Sequence, residues 1–175
     1  MKYFLLPLAL TLFSSPLVAK GESKAEKTDK VGKVETTLQW QSFNQAMKTV
    51  GASGKYVFID VYTDWCGYCK QLDATTLKSY SVVAELSRNF ISVKLNAESS
   101  EQVIWKGVKM TAQELSAQWG VEGFPTLIFL NSKGDIVGSF ASFAEPETMI
   151  KLLTYISSGA RERKIPFDDF IKGES

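Results

Sequence analysis

The segment YVFIDVYT, residues 56–63, is almost continuously apolar and rich in β-branched and aromatic side chains. Such a run is typical of a strand that is buried on both faces of a sheet covered by helices. The next residues, DWCGYCK, contain both cysteines of a chain of 175 residues that has no histidine. The chain is therefore expected to fold so that a central strand leads directly into the cysteine pair.

Helical and strand patterns alternate along the chain. Further strands are predicted at 90–95 and 126–130, the latter turning through NSKG into the strand DIVGSF as a hairpin. A first helix is predicted from the helical spacing of Trp40, Phe43, Met47 and Val50, and it ends at Gly51. Two helical pieces follow in KQLDATTLKS and VVAELSRN. A further helix is opened by the capping box Thr111 to Glu114 and ended by Gly120, and a last one runs from Pro146 to about Ser158. This alternation predicts an α/β fold with a mixed sheet.

The N-terminal residues MKYFLLPLALTLFSSPLVAKG combine an early lysine, an apolar run and small residues, which is typical of a secretory signal peptide. We expect residues 1–19 to be removed, and cleavage at bonds up to Gly21 fits the same pattern. The apolar run is shorter than the ~20 residues of a membrane span, so a retained anchor is the less favoured alternative. Export implies an oxidising compartment, where a cysteine pair can cycle or stay oxidised.

The remaining chain divides by composition. Residues 20–36 are polar and charged and predict a flexible lead, residues 37–160 predict the folded domain, and residues 161–175 form a tail. The tail carries apolar residues among its charges, which we expect to pack back onto the domain. The formal net charge of +1 and the interspersed charges provide no basic stripe, so nucleic acid is not expected as a partner.

Two cysteines separated by two residues can form a structural zinc site, a disulfide staple or a redox dithiol. A zinc site needs four ligands, which a chain without histidine or a second cysteine pair cannot supply alone, so no metal is expected. A disulfide that closes so short a loop constrains the unfolded chain little. The redox dithiol is favoured, because Cys66 would start a helix whose free N–H groups and dipole stabilise a thiolate.

The residues around this pair resemble the thioredoxin family. In DVYTDWCGYCK, Trp65, Gly67 and the lysine after the second cysteine match the family's active-site pattern. VKLN, 93–96, is similar to the family's next central strand, and VEGFPT, 121–126, is similar to the loop that carries its cis-proline. The resemblance covers about residues 38–158. It implies a thioredoxin fold, with a mixed central sheet flanked by helices on both faces.

The resemblance also implies roles for individual residues. Cys66 would attack a substrate disulfide and Cys69 would resolve the intermediate, while a buried Asp60 takes the proton of the second thiol and pairs with Lys94. Read without the resemblance, Asp60 could be a solvated acid and Lys94 an exposed strand lysine. No cofactor is implied. The residues expected to bind substrate are Trp65, Gly67, Tyr68, Phe124 and Pro125, the last with a cis peptide bond.

Tyr68 departs from the family's cytoplasmic reductases, which carry proline there, and a Gly-Tyr pair between the cysteines is similar to periplasmic disulfide isomerases. The export signal and length are more similar to periplasmic thioredoxin-like proteins and to the C-terminal domain of a membrane protein that reduces periplasmic thiols. We therefore expect a periplasmic, monomeric thiol:disulfide oxidoreductase that reduces protein disulfides and accepts electrons from a membrane thiol:disulfide protein. A disulfide oxidase or isomerase, and a redox-switched binding adaptor, remain as alternatives.

Cys66 and Pro125 are 59 positions apart (125 minus 66), which is wider than in compact members of the family. The surplus falls mainly in residues 98–110. Its apolar residues Val103, Ile104 and Trp105 could extend the core or contact a partner, and extension of the core is favoured.

Overall fold

The computed structural model describes residues 37–173. The predicted signal peptide, the flexible lead and the last two residues of the tail lie outside the described residues, so those assignments stay predictions. Within 37–173, no helix has the length and apolar character needed to cross a membrane.

Strands and helices alternate in the order that the sequence predicts, with additions at the sheet edge, in the 98–110 segment and in the C-terminal tail. The strands are β1 (Trp40–Gln41), β2 (Tyr56–Tyr62), β3 (Phe90–Asn96), β4 (Gln102–Trp105), β5 (Val108–Thr111), β6 (Thr126–Leu130) and β7 (Ile136–Phe140). The helices are α1 (Phe43–Ser53), α2 (Gly67–Ala74), α3 (Tyr80–Asn89), α4 (Ala112–Gln118), α5 (Pro146–Ser157) and α6 (Phe167–Lys172), with a 3-10 turn at Thr76–Lys78.

Five of the strands within the described residues form one mixed sheet in the order β1-β3-β2-β6-β7. The central strand β2 pairs in parallel with β3 and antiparallel with β6. The crossover from β2 to β3 runs through α2, the 3-10 turn and α3. β6 and β7 form the predicted hairpin. The expected mixed sheet is confirmed.

Helices cover both faces of this sheet. Side chains alternate along β2, so Ile59 faces the cluster formed with α1 and α4, while Phe58 faces the cluster formed with α2, α3 and α5. Both of these side chains are fully buried. β2 is therefore the doubly covered strand that its apolar sequence predicts, and its even-numbered residues point toward α2.

The prediction for the first helix is wrong at both ends. Trp40 lies in β1, where it pairs with Ser92 of β3, and α1 begins only after Ser42, whose hydroxyl accepts a 3.3 Å hydrogen bond from the Gln45 N–H. The helix also continues through Gly51 and ends at Gly54, which has a left-handed φ of 66°. A capping hydroxyl and a left-handed glycine thus decide the bounds, and the apolar spacing does not.

The 98–110 segment forms the hairpin β4–β5, which extends the core. Val103 is fully buried, and Trp105 packs edge-to-face on Trp119 with ring centroids 5.5 Å apart. Ile104 faces the other side and is half exposed. The side chain of Asn44 on α1 attaches the hairpin to the body, because it donates to the Gln102 carbonyl and accepts from the Ile104 N–H, both at 2.8 Å.

The tail packs back onto α5 through Tyr155. The Tyr155 ring lies 5.2 Å from Phe167 and 5.3 Å from Phe170 between centroids, and its hydroxyl donates a 2.6 Å hydrogen bond to the Ile165 carbonyl. These contacts hold α6 on the face of the sheet that α2 and α5 cover.

Candidate active site

The cysteines lie where the central strand meets the next helix. β2 ends at Tyr62, a turn closes with a 3.2 Å hydrogen bond from the Cys66 N–H to the Thr63 carbonyl, and α2 follows at once. Cys66 is the N-cap of α2, and its sulfur accepts a 3.0 Å hydrogen bond from the Cys69 N–H. The first sulfur therefore sits where a helix presents free N–H groups and the positive end of its dipole.

Cys66 and Cys69 form a disulfide with an S–S bond of 2.08 Å. Both are buried in this oxidised state, with exposed fractions of 4% and 2%. The two sulfurs therefore do not differ in accessibility in this state. Their neighbours Gly67 and Tyr68 on the helix are exposed. The distinction between the two sulfurs in this state lies in hydrogen bonding at the helix N-terminus.

Asp60 lies on the face of β2 that points toward α2, two residues after Phe58. It is fully buried, and neither of its carboxylate oxygens has a hydrogen-bond partner among residues 37–173. Burial raises the pKa of Asp60 from 3.8 to about 6, with the Lys94 charge acting in the opposite direction. A carboxyl group that changes charge near neutral pH is thus placed beneath the cysteine helix.

Lys94 is paired with Asp60 in the register of β2 and β3, and it belongs to the same face of the sheet. Its Nζ lies 3.3 Å from Asp60 Oδ2 and 2.5 Å from Asp73 Oδ2, and only the Asp73 contact has hydrogen-bond geometry. Burial alone would lower the pKa of Lys94, but the two carboxylates raise it above 10.5. The rings of Trp40 and Tyr62 lie 5.2 and 4.9 Å from the same Nζ. Lys94 is therefore a protonated link between two acids.

Asp73 was not identified from the sequence. It follows Cys69 by four residues, and positions four apart lie on the same face of a helix. That spacing was a usable signal, because the face of α2 that carries Cys69 must point toward β2. The Lys94 contact itself could not be read from either segment.

Two aromatic pairs lie at the surface around the disulfide. Trp65 is 67% exposed, meets the ring of Phe124 edge-to-face at 5.9 Å, and donates a 2.9 Å hydrogen bond from Nε1 to Glu98 Oε1. Tyr68 is 64% exposed and lies 6.4 Å from Phe143 between ring centroids. These exposed rings form an apolar surface on which a polypeptide segment can pack.

Glu98 and Phe143 are site residues that the sequence analysis missed. Glu98 comes two residues after the end of β3, and the carboxyl ends of parallel strands meet at one edge of a sheet, so its position was a weak signal. Phe143 lies in the segment between β7 and α5, and no pattern in the sequence pointed to it.

Pro125 directly precedes β6, whose first residue Thr126 pairs with Val61 at the end of β2. The Phe124–Pro125 peptide bond is cis. The antiparallel register therefore places Pro125 at the same edge of the sheet as the turn that leads to Cys66. The structure brings the sequence-predicted residues into two groups, an acid–lysine cluster beneath α2 and an aromatic surface around the disulfide.

Residues 43–157 match the family model of the thioredoxin-like domain. A thioredoxin from Thermus thermophilus is similar in structure, with a TM-score of 0.59 and 23% identity over 70% of this chain and 89% of that chain. A Bacteroides thetaiotaomicron protein assigned as a disulphide-isomerase is 30% identical, with a TM-score of 0.54 over 70% of this chain and 93% of that chain. The expected thioredoxin fold is confirmed.

Among curated proteins, the chain is 33% identical over 91 residues to protein disulfide isomerase-like 5-2 of Oryza sativa subsp. japonica. That match covers 52% of this chain and 18% of the rice protein, so the chain spans about a fifth of that relative's length. With a family model matched over most of the described residues and a cysteine pair at the start of α2, the chain belongs to the thioredoxin-like family of disulfide oxidoreductases and isomerases.

Proposed function

We propose that this protein is an exported thiol:disulfide oxidoreductase that reduces disulfides of periplasmic proteins through Cys66 and Cys69. The observation that carries the proposal is the position of Cys66, whose sulfur caps α2 and accepts the Cys69 N–H. This environment favours a thiolate in the reduced protein, and a thiolate is the species that attacks a disulfide.

The first chemical step is attack by the Cys66 thiolate on one sulfur of a substrate disulfide. A bond forms between Cys66 and that sulfur, the substrate disulfide breaks, and the other substrate sulfur leaves as a thiolate. The aromatic pairs Trp65–Phe124 and Tyr68–Phe143 flank the reacting sulfur with exposed apolar surface. In this proposal, Phe124 and Pro125 border the cysteines and present backbone to an extended substrate segment.

The second step is attack by Cys69 on the mixed disulfide. Its proton passes to the Asp60 carboxylate as the Cys66–Cys69 bond forms, and the second substrate sulfur leaves as a thiolate. Two electrons have then moved from the protein to the substrate, and the protein is left oxidised, as in the structure described. A new cycle requires a dithiol donor, for which we propose a membrane thiol:disulfide protein.

A disulfide isomerase or oxidase is the second candidate, because Tyr68 stands between the cysteines and several relatives carry isomerase names. The reduction potential separates the two functions. A value near about −270 mV fits a thioredoxin-like reductase, whereas about −120 to −180 mV fits an oxidant or isomerase.

Replacement of Cys69 by Ala tests the catalytic proposal, since it keeps the attacking sulfur and removes the resolving one. Mixed disulfides with exported proteins should then accumulate and disappear on addition of dithiothreitol. The matched control is Cys66→Ala, which should trap little. A set of unrelated partners supports a broad enzyme, and a single partner supports a redox-switched adaptor. Absence of adducts with Cys69→Ala would contradict exchange chemistry at this site.

A further inference from the structure

A groove of about 630 Å³ opens beside α2, and its lining includes Lys94, the ion-pair partner of the buried Asp60. Trp40 and Leu77 form its apolar walls, and Asp73 and Lys94 form part of its lining. The exposure of the charged side chains falls inward, from 43% at Asp73 to 25% at Lys94 and 0% at Asp60. The three charges thus form a series between solvent and the interior.

Lys94 is bound more closely to Asp73, the outer acid, than to the buried Asp60. Its Nζ donates a 2.5 Å hydrogen bond to Asp73 and makes only a 3.3 Å ion pair with Asp60. Both oxygens of Asp60 lack hydrogen-bond partners within residues 37–173. A fully buried carboxyl group without partners is unusual, and such groups are commonly satisfied by water.

In the part of the chain that the structure describes, the charged groups that act on Asp60 are Lys94 and Asp73. β3 contributes Lys94 and α2 contributes Asp73, which follows Cys69 by four residues, while β6 places the apolar Leu127 opposite Asp60 in the sheet register. Lys78 of the 3-10 turn lines the outer groove. Tyr62, two residues along β2, turns its ring toward Lys94. Lys94 therefore connects the buried Asp60 with the groove, because it pairs with Asp60 and also belongs to the groove lining.

We propose that Asp73 is a positioning residue of the redox site, which holds Lys94 at the groove and so keeps Asp60 available for proton exchange with groove water. This inference rests on the proposed function, in which Asp60 takes one proton from Cys69 each time the mixed disulfide is resolved. The same proton must leave before the next cycle. Water in the groove is the acceptor, and the Asp73–Lys94 pair leaves Asp60 with a weak ion pair.

The Asp73→Asn variant tests this arrangement. It removes a negative charge near Asp60 and frees Lys94 to approach Asp60, and both effects favour the ionised form of the buried carboxyl group. The pKa of Asp60, about 6 in the wild type, should therefore fall. We expect a decrease of about one to two pH units, because one charge within about 6 Å acts at an effective dielectric constant near 20 and part of its effect is offset by solvent screening.

The measurement is a ¹³C NMR titration of the Asp60 carboxyl carbon in the full-length oxidised protein, assigned by loss of the signal in Asp60→Asn. Asp73→Glu should restore the wild-type midpoint because it keeps the carboxylate. Asp64→Asn is the matched control, since it makes the same charge change at an exposed residue beside Trp65 and should leave the midpoint unchanged. A wild-type midpoint in Asp73→Asn, or an equal shift in Asp64→Asn, would overturn the proposal.

A second readout connects the arrangement with turnover. The pH midpoint for resolution of the mixed disulfide should move downward in Asp73→Asn by the same interval as the NMR midpoint. An unmoved pH profile would overturn the role of Asp73 in the reaction. Because the NMR titration needs no substrate, it remains informative if Cys69→Ala traps nothing. In that case a shifted NMR midpoint in Asp73→Asn still supports the positioning of Lys94 by Asp73, and only the proposed function is contradicted.

Discussion

The Trp65 indole donates its N–H to the Glu98 carboxylate at 2.9 Å, which joins the residue before the first cysteine to the loop after β3. Trp65 also meets Phe124 edge-to-face, so this exposed side chain is restrained from two sides. An aromatic side chain that is already fixed loses less conformational freedom when a substrate packs against it. The Trp65–Glu98 contact therefore holds the apolar surface beside the disulfide in place before a substrate binds.

Replacing Glu98 by Ala should weaken substrate binding more than the chemical step. Loss of one hydrogen bond of about 0.5 to 1.5 kcal/mol predicts that KM for a protein disulfide rises about two- to tenfold at nearly constant kcat. Glu98→Gln keeps an acceptor oxygen and should restore most of the affinity. The exposed Glu101 in the same loop supplies the control Glu101→Ala. A fall in kcat with unchanged KM would show that the contact does not act on binding.

The Asp60→Asn variant should be more stable than the wild type at neutral pH. Burial raises the pKa of Asp60 from 3.8 in the unfolded chain to about 6 in the fold, so the unfolded state loses this proton first as pH rises. The contribution of Asp60 therefore lowers wild-type stability between about pH 4 and about pH 6, and the loss persists above pH 6. An Asn side chain does not ionise, so the variant lacks this loss of unfolding free energy, which is roughly 2 to 3 kcal/mol.

Urea unfolding of the two oxidised proteins across this pH range measures the difference. The titration extends to about pH 3, and the two stabilities should converge there, because Asp60 is protonated in both the folded and the unfolded state only below both pKa values. The same variant should resolve mixed disulfides more slowly, because it lacks the proton acceptor. A stability difference that stays constant from pH 4 to pH 7 would mean that Asp60 does not titrate as described.

The reduced thiols should differ in reactivity although both are buried in the oxidised state. Cys66 caps α2, so its thiolate is stabilised by the Cys69 N–H and the helix dipole. Cys69 lies one turn into the helix near the Asp60 carboxylate, which disfavours a second negative charge. Below pH 7, iodoacetamide should modify Cys66 first, as read by peptide mass spectrometry. Equal rates would remove the basis for naming Cys66 as the nucleophile.

The hairpin β4–β5 should loosen when Asn44 is replaced by Ala. The Asn44 amide makes two hydrogen bonds to β4, so their loss is expected to cost about 1 to 2 kcal/mol of unfolding free energy. Hydrogen exchange at the Ile104 amide should speed up more than exchange in β2. Lys48→Ala, at an exposed position on the same helix, is the control. If exchange at Ile104 is unchanged, another contact holds the hairpin.

Several features could be predicted from the sequence because their causes are local. The doubly buried strand β2 is visible as an apolar run, the start of α4 as a capping box that the structure contains, and the start of α5 as a proline in its first turn. The placement of Cys66 at a strand-to-helix junction follows from the order of these patterns. Each signal depends on residues a few positions apart, where backbone preferences and side-chain burial act directly.

Other features depend on how distant segments dock. Trp40 has helical spacing with its neighbours, but the edge of β3 offers its backbone a pairing partner, and it forms strand β1. Asp60, Asp73 and Lys94 come from three elements, and only the sheet register together with the docking of α2 brings them into one cluster. The sequence by itself determined the buried central strand β2 and the starts of α2, α4 and α5. Tertiary structure decided which charges meet, because contacts between elements depend on register and packing that no local pattern encodes.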